Sequence, residues 1–317
     1  MTVATAMRLT DLQTALQRAG LTAQRGVPLR LYTSFRIGGP ADLLITVHTI
    51  DDLARALIAA HEHGVPWWVL GGGTNVLVSD AGVRGLTILN RCRRVEIRAD
   101  RRIYVESGAP LAGLARETIQ ASLSGLEWAI GVPGTIGGAI VGNAGAHGGC
   151  IADHLHAIEM LHPTGERAVY PAEELGLSYR SSRLKTGELR GVILSATFQM
   201  LPEAPEVLRE RAEAYLAHRR KSQPVDASAG SIFRNPPGDF AGRLIEEAGL
   251  KGAREGAAQI SPIHANFIVN LGGATAADVI RLIRRAQSAV YERFGVRLEP
   301  EIQMVGDWGI RDWEIRD

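Results

Sequence analysis

The feature that most constrains this chain is where its glycines fall. They concentrate at 38–39, 71–73, 131–149 and 272–273. A residue without a Cβ lets backbone approach something closely, commonly a cofactor. The run at 71–73 follows directly on an apolar segment, 65–70, that reads as a buried strand. Leu70-Gly71-Gly72-Gly73-Thr74-Asn75 then leaves several backbone N–H groups unshielded, a nest suited to phosphate or pyrophosphate oxygens. No Gly-Lys-Ser/Thr follows, no helix is obviously opened, and the spacing is not GxGxxG. The P-loop and the common dinucleotide fingerprint are therefore excluded. Taken alone, the run serves equally as a tight turn or as a phosphate nest.

The second run is Gly131-Val132-Pro133-Gly134-Thr135-Ile136-Gly137-Gly138-Ala139, continuing to Gly142-Asn143-Ala144-Gly145-Ala146. Small residues would let a flat ring lie against the backbone, with Thr135 and Asn143 offering hydrogen bonds to it. The same spacing also permits close helix packing.

Around these loops, helix and strand signals alternate without the regular beat of a βαβ series. Thr49 can cap a helix over 51–63 that Gly64 stops. A further helix follows Pro110 and ends near Gly125. Segments 95–98 and 103–106 alternate apolar and polar residues around a polar turn, and 157–162 and 167–170 flank Pro163-Thr164-Gly165. Segment 192–200 reads as a strand. After a boundary near 201–205 comes a charged helix over 206–221, a helix over 240–248, and a strand at 266–270. Thr275 caps a helix running to Phe294, whose buried stripe is Val279, Ile283, Ala286, Val290 and Phe294. A strand at 301–305 and a polar, Trp-containing tail finish the chain. The pattern predicts an α+β fold.

Composition narrows the function. A formal net charge of +1 gives no support for a nucleic-acid binder. The arginine clusters at 91–94 and 281–285 read as solvated surface. Two cysteines, Cys92 and Cys150, with no CxxC and no Cys/His ligand spacing, speak against structural zinc. No run reaches the roughly 18 apolar residues of a membrane span. The N-terminus has no signal-peptide core and reads as an amphipathic helix with Leu9, Leu12, Leu16 and Leu21 near helical spacing. A cytoplasmic protein without membrane insertion is expected; oligomeric state is not readable.

The two glycine loops together resemble those of the FAD domain of the vanillyl-alcohol-oxidase/para-cresol-methylhydroxylase (PCMH) type. Tyr32-Thr33-Ser34-Phe35-Arg36-Ile37-Gly38-Gly39-Pro40-Ala41-Asp42 is similar to the opening of the UDP-N-acetylenolpyruvoylglucosamine reductase family. Tyr179-Arg180-Ser181-Ser182-Arg183 resembles that family's YRxS motif. Gly230-Ser231-Ile232-Phe233-Arg234-Asn235-Pro236 resembles its GSxFKNP motif, with Arg234 where lysine is usual. Leu244 to Gly252, Ser261 to Phe267 and Leu298 to Ile302 follow its LIExAGLKG, SxxHANF and LEPEV runs. The resemblance covers roughly residues 30–306, in order.

What the resemblance implies is an FAD-dependent, NADPH-consuming reduction of the enolpyruvyl group of a UDP-sugar. It implies a helical extension at 1–29, a PCMH-type FAD-binding domain at 30–202 and an α+β substrate domain at 203–317. Arg180 matches the arginine that polarises the substrate carboxylate, Ser231 the proton donor and Glu301 the assisting carboxyl. A serine hydroxyl is a poor acid, so the role needs a strongly basic intermediate beside it. Glu299, two residues before Glu301, is set aside by motif position alone. The FAD contacts implied are Arg36, Gly71, Gly72, Gly73, Thr74, Asn75, Gly131, Val132, Pro133, Gly134, Thr135, Asn143, Ala144 and Gly145. Tyr179, Lys221 and Asn235 are the substrate contacts, and no metal is implied. His264 reads as a hydrogen-bonded histidine rather than a base. The short stretch 184–200 resembles the shorter type of the family, without a tyrosine-bearing loop. Two other readings stay open: an oxidase of the same FAD fold linked covalently through His147 or Cys150, and a non-catalytic nucleotide-sugar binder.

Overall fold

The computed structural model describes residues 3–309, with side chains from residue 5. Of the Trp-containing tail, Trp308 is described and packs against the apolar cluster that includes Val279 and Ile283, while residues from 310 onward lie outside the described residues. The chain forms two compact units, each assembled from separated segments. Among the described residues, the first comprises those up to 25, 43–72 and 85–219; the second comprises 26–42, 73–84 and those from 220 onward. The chain passes from one to the other within the first glycine loop, between Gly72 and Gly73.

In the first unit, the strand Val83–Asn90 lies between Pro40–Val47 and Trp67–Leu70. Val83–Asn90 and Trp67–Leu70 are parallel, with Trp67 opposite Leu86 and Leu70 opposite Leu89. Parallel pairing demands a crossover, and it puts the C-terminal end of Trp67–Leu70 directly at Gly71. The helix Ile50–Glu62 covers this sheet. Thr49 Oγ1 accepts the Asp52 N–H at 3.1 Å, the cap expected from the sequence. Leu53, Leu57 and Ala60 are fully buried, as are Leu12 and Leu16 of the N-terminal helix Val3–Arg18, in one apolar cluster.

A second sheet in the same unit is antiparallel. Its order is Arg167–Pro171, Leu155–Leu161, Val192–Gln199, Arg102–Glu106, Val95–Ile97. Both expected hairpins are present. The helix Leu111–Gln120 packs on this layer through Leu111, Leu114, Ala115 and Ile119. It stops well short of Gly125, because Leu123–Ser124 is drawn into a short pairing with Leu201–Pro202. The helix Pro205–Ser222 is anchored by Leu208 and Ala212 and by Arg211, which reaches the buried Glu127 at 3.2 Å.

The second unit is built on an antiparallel sheet ordered Ser228–Ser231, Phe267–Asn270, Ala258–Ile260, Arg254–Glu255. The helix Ala276–Phe294 lies on it with Val279, Ile283, Ala286 and Val290 buried; Phe294 is only partly so. Thr275 and Asp278 cap each other's backbone N–H groups, and Gly295 ends the helix at φ 68°. The strand Gln303–Val305, two residues shorter at its start than expected, runs parallel to Val76–Val78 just beyond the first glycine loop. Among the described residues no helix is long and apolar enough to cross a membrane.

Candidate active site

The first glycine loop leaves its strand under tight packing. A Cβ on Gly71 would collide with Thr135 Oγ1, so the two glycine runs meet here with no room for a side chain. Arg91 Nη1 donates to Gly71 O at 2.7 Å. The arginine cluster at 91–94 is therefore not all solvated surface: Arg91 is half-buried and buttresses the loop, while Arg94 pairs with Glu96. Within the second unit, a Cβ on Gly73 would strike the carbonyl of Tyr32. Ser34 N–H donates to Gly73 O at 2.9 Å, and Ser34 Oγ donates to Ser228 O at 2.7 Å. The 32–39 segment thus serves to seat the glycine loop. Arg36 is exposed, at φ 55°, beside a cavity of about 600 Å³ lined also by Arg30, Asp80, Asn270 and Gly272.

The second glycine run places Thr135 and Asn143 as buried polar residues, 8% and 6% exposed. Asn143 has φ 38°, and its side chain is engaged on both sides: Nδ2 donates to Ser178 O at 2.9 Å, and Oδ1 accepts from Ala152 N at 3.1 Å. Gly131, Val132, Gly134, Ala144 and Gly145 are half-buried and Pro133 is exposed.

Arg180 is held against this run by its turn. Ser178 and Ser181 exchange both backbone hydrogen bonds at 3.1 Å, which puts Tyr179 and Arg180 at the tip of a two-residue hairpin. Arg180 adopts φ 55°, a left-handed conformation that costs a non-glycine residue on the order of 1–2 kcal/mol. The strained turn persists because it is tied to alternate residues of the glycine run. Ser182 Oγ donates to Val141 O at 2.7 Å, Asn143 to Ser178 O, and Arg180 Nη2 to Gly145 O at 2.8 Å. Tyr179 is 57% exposed, and the guanidinium lies 5.5 Å from its ring centroid.

Ser231 and Glu301 are brought together in the second unit by main chain. Ser228–Ser231 pairs with Phe267–Asn270 through a bulge, Ser228 opposite Val269 and Ser231 opposite Phe267. The buried Asn266 then clamps the next residues: its Oδ1 accepts from Phe233 N at 2.9 Å and its Nδ2 donates to Phe233 O at 2.8 Å. Glu301 N–H donates to Ile232 O at 2.7 Å and Arg234 N–H to Glu299 O at 2.9 Å. Ser231 is half-buried, and its hydroxyl has no hydrogen-bond partner among the described residues. Glu299 is 76% exposed at its side chain and lies 3.9 Å from Arg234, a solvated partner to that arginine. Asn75 joins the group, its Nδ2 donating to Glu301 O at 3.4 Å and its carbonyl accepting from Gln303 N at 3.0 Å.

The remaining residues singled out by sequence are placed as follows. Asn235 Oδ1 accepts from Ala241 N at 3.1 Å, capping the helix Ala241–Glu247. Lys221 is exposed at the end of Pro205–Ser222. His264 Nδ1 accepts from Asn266 N at 3.2 Å, its ring sits edge-on to Phe267, and burial lowers its pKa. It is a neutral, hydrogen-bonded histidine. Burial pushes Cys92 up to about 12. Burial and the adjacent Asp153 carboxylate raise Cys150, whose Sγ lies 3.2 Å from Asp153 Oδ1. Both are thiols, and His147 is stacked on Tyr215. The residues that sequence reasoning overlooked, Arg91 and Asn266, act through backbone carbonyls and amides far away in sequence, a signal that spacing does not carry.

Two family profiles match the chain. Residues 223–305 match the profile of the UDP-N-acetylenolpyruvoylglucosamine reductase C-terminal domain, and residues 41–169 that of an FAD binding domain. The UDP-N-acetylenolpyruvoylglucosamine reductase of Rubrobacter xylanophilus is 47% identical over 92% of this chain and 98% of its own length. That of Moorella thermoacetica is 43% identical over 94% and 97%. The crystal structure of UDP-N-acetylenolpyruvylglucosamine reductase from Thermus caldophilus superposes with a TM-score of 0.78 at 40% identity, covering 90% of this chain and 99% of that one.

Proposed function

This chain belongs to the UDP-N-acetylenolpyruvoylglucosamine reductase family, FAD-dependent oxidoreductases of peptidoglycan synthesis, and from that premise we propose how its own residues perform the reduction. FAD, when bound, carries the hydride that NADPH provides and that the enolpyruvyl group of the UDP-sugar receives. The residues present fit that cofactor. Gly71, Gly72, Gly73, Thr74 and Asn75 form the nest for its diphosphate. Gly131 to Thr135 and Asn143 to Gly145 form the small-residue wall for its ring, and Arg36 supplies an outlying positive charge. The fit rests on glycine positions where a Cβ would collide with neighbouring groups, and on buried Thr135 and Asn143 along the run.

Arg180 binds the substrate carboxylate. A guanidinium stays charged and offers a bidentate fork, so it stabilises the negative charge that spreads into that carboxylate as the adjacent carbon becomes basic. Ser231 then gives its proton to that carbon, and Glu301 assists the transfer. The observation that carries this assignment is the direct backbone hydrogen bond from Glu301 to Ile232 O, which fixes the carboxyl-bearing residue next to the serine segment. Tyr179, Lys221 and Asn235 contact the UDP-sugar. The short helical turn Arg183–Thr186 leads straight to the strand Val192–Gln199, which supports the shorter type without a tyrosine loop.

The protonated Cys150 thiol, held to Asp153, and His147, stacked on Tyr215, support non-covalent FAD. We assign FAD binding to residues 30–202 and substrate binding to 203–317; the extension 1–29 expected as helical is helix only over Val3–Arg18, because Gln24–Pro28 is a strand added to the edge of the sheet containing Pro40–Val47. This division of labour cuts across the compact units, since 26–42 and 73–84 cluster with the C-terminal segment. Free cysteines and a phosphorylated nucleotide substrate support a cytoplasmic enzyme.

The test is anaerobic. NADPH should bleach the yellow protein, and the enolpyruvyl UDP-sugar should restore the colour. A protein that is colourless after reconstitution with FAD, or whose reduced form ignores that substrate, would sink the proposal. Flavin remaining with the protein after acid precipitation would overturn the non-covalent assignment.

A further inference from the structure

The last turn of the helix Pro205–Ser222 brings Arg219 against the second glycine run. A Cβ built on Gly131 would sit 2.9 Å from Arg219 Cδ and 3.7 Å from its Nε, so the arginine stem lies directly against the glycine backbone. Two other arginines of this helix are ion-paired, Arg211 with Glu127 at 3.2 Å and Glu203 at 3.6 Å and Arg209 with Glu206 at 3.9 Å, and Arg220 is exposed to solvent. Arg219 is half-buried, yet among the described residues it has neither a hydrogen bond nor an ion pair. Its electrostatic neighbour is His147, itself stacked on Tyr215 and edge-on to His218. Burial alone pushes the pKa of Arg219 down, and burial, His218 and Arg219 together hold His147 below its ordinary value.

An arginine does not escape such a site by losing its proton. A half-buried cation without a counter-charge is costly unless something anionic meets it. The place it occupies is specific. Gly131 begins the run whose Thr135 packs against Gly71 of the first glycine loop. We propose that Arg219 is the cofactor-facing cation of the second glycine run and neutralises negative charge on the bound FAD. This rests on the FAD reading above. FAD offers two sources of that charge: the diphosphate, present in both redox states, and the ring, which gains negative charge on reduction.

The experiment uses full-length holoprotein with Arg219→Met, which keeps the apolar stem, and Arg219→Lys, which keeps the charge. The dissociation constant of oxidised FAD is read by fluorescence on dilution. The ratio of affinities for reduced and oxidised FAD is read from the midpoint potential of the bound cofactor. A diphosphate contact is expected to weaken both redox states about 30-fold or more in Arg219→Met, equivalent to about 2 kcal/mol. A ring contact is expected to weaken reduced FAD at least tenfold more than oxidised FAD. In either case Arg219→Lys should recover a large part of the loss, which separates charge from packing should the Met variant fold poorly. Wild-type affinity and potential in Arg219→Met, or equal losses in the Met and Lys variants, would overturn the proposal. Wild type that binds no FAD would instead remove the reading on which it rests.

Discussion

The turn carrying Arg180 and the segment carrying Ser231 hold their reactive groups by opposite means. Arg180 sits in a left-handed backbone conformation and is kept there by side chains: Ser182, Asn143 and its own guanidinium, each bonded between the turn and the glycine run 141–145 or across it. Ser231 is in a bulged strand, and Glu301 reaches it through main-chain bonds, with Asn266 as the one side-chain clamp. The first arrangement stores strain next to the group we assign to the substrate carboxylate. The second places a weak acid without strain, as the proton-donor role proposed for it would require. The arginine thus depends on a network of several side chains, and the serine segment on main-chain pairing plus the one clamp at Asn266.

The largest effect should come from Arg180→Ala. Reoxidation of reduced flavin by the enolpyruvyl substrate is expected to slow by at least three orders of magnitude, while bleaching by NADPH stays within about threefold, a loss of roughly 4 kcal/mol of transition-state stabilisation. Rapid-mixing absorbance of the flavin measures both. Comparable slowing of the two half-reactions would break the assignment of Arg180 to the substrate.

Next in size is Asn266→Ala. It strips a buried clamp from both the N–H and the C=O of Phe233, so stability should fall by about 2–4 kcal/mol. Urea unfolding of the holoprotein checks this, and a loss below about 1 kcal/mol would mean that main-chain pairing alone secures the serine segment. The smallest effect separates strain from chemistry. Arg180→Gly should be about 1 kcal/mol more stable than Arg180→Ala, because only glycine adopts φ 55° without penalty. Ser231→Gly should show no such advantage over Ser231→Ala. Equal stabilities for the two Arg180 variants would remove strain from the comparison.

Much of the scaffold could be read in advance, for local reasons. Thr49 and Thr275 cap helices where a hydroxyl precedes an apolar period, and both hairpins of the antiparallel sheet show a turn between alternating runs. The strand Val83–Asn90 could not be read this way. It is buried at every position but Arg84, so it lacks the alternation that marks a half-exposed strand. Leu111–Gln120 ends earlier than its pattern suggests because Leu123 is claimed by a strand that is distant in sequence. The roles proposed for Arg180, Ser231 and Glu301 come only from resemblance, since none is chemically conspicuous. His264 is conspicuous and is instead tied to Asn266 N and Phe267. Arg91 was mistaken for surface because its partner, Gly71 O, is a carbonyl 20 residues away.

The central claim is that Ser231 donates the proton once hydride has reached the substrate. The direct measurement is anaerobic stopped-flow on Ser231→Ala, following flavin absorbance through each half-reaction. Bleaching by NADPH should proceed at close to the wild-type rate, and reoxidation by the enolpyruvyl UDP-sugar should slow by several orders of magnitude. Reoxidation at the wild-type rate, or equal loss of both halves, would contradict the account.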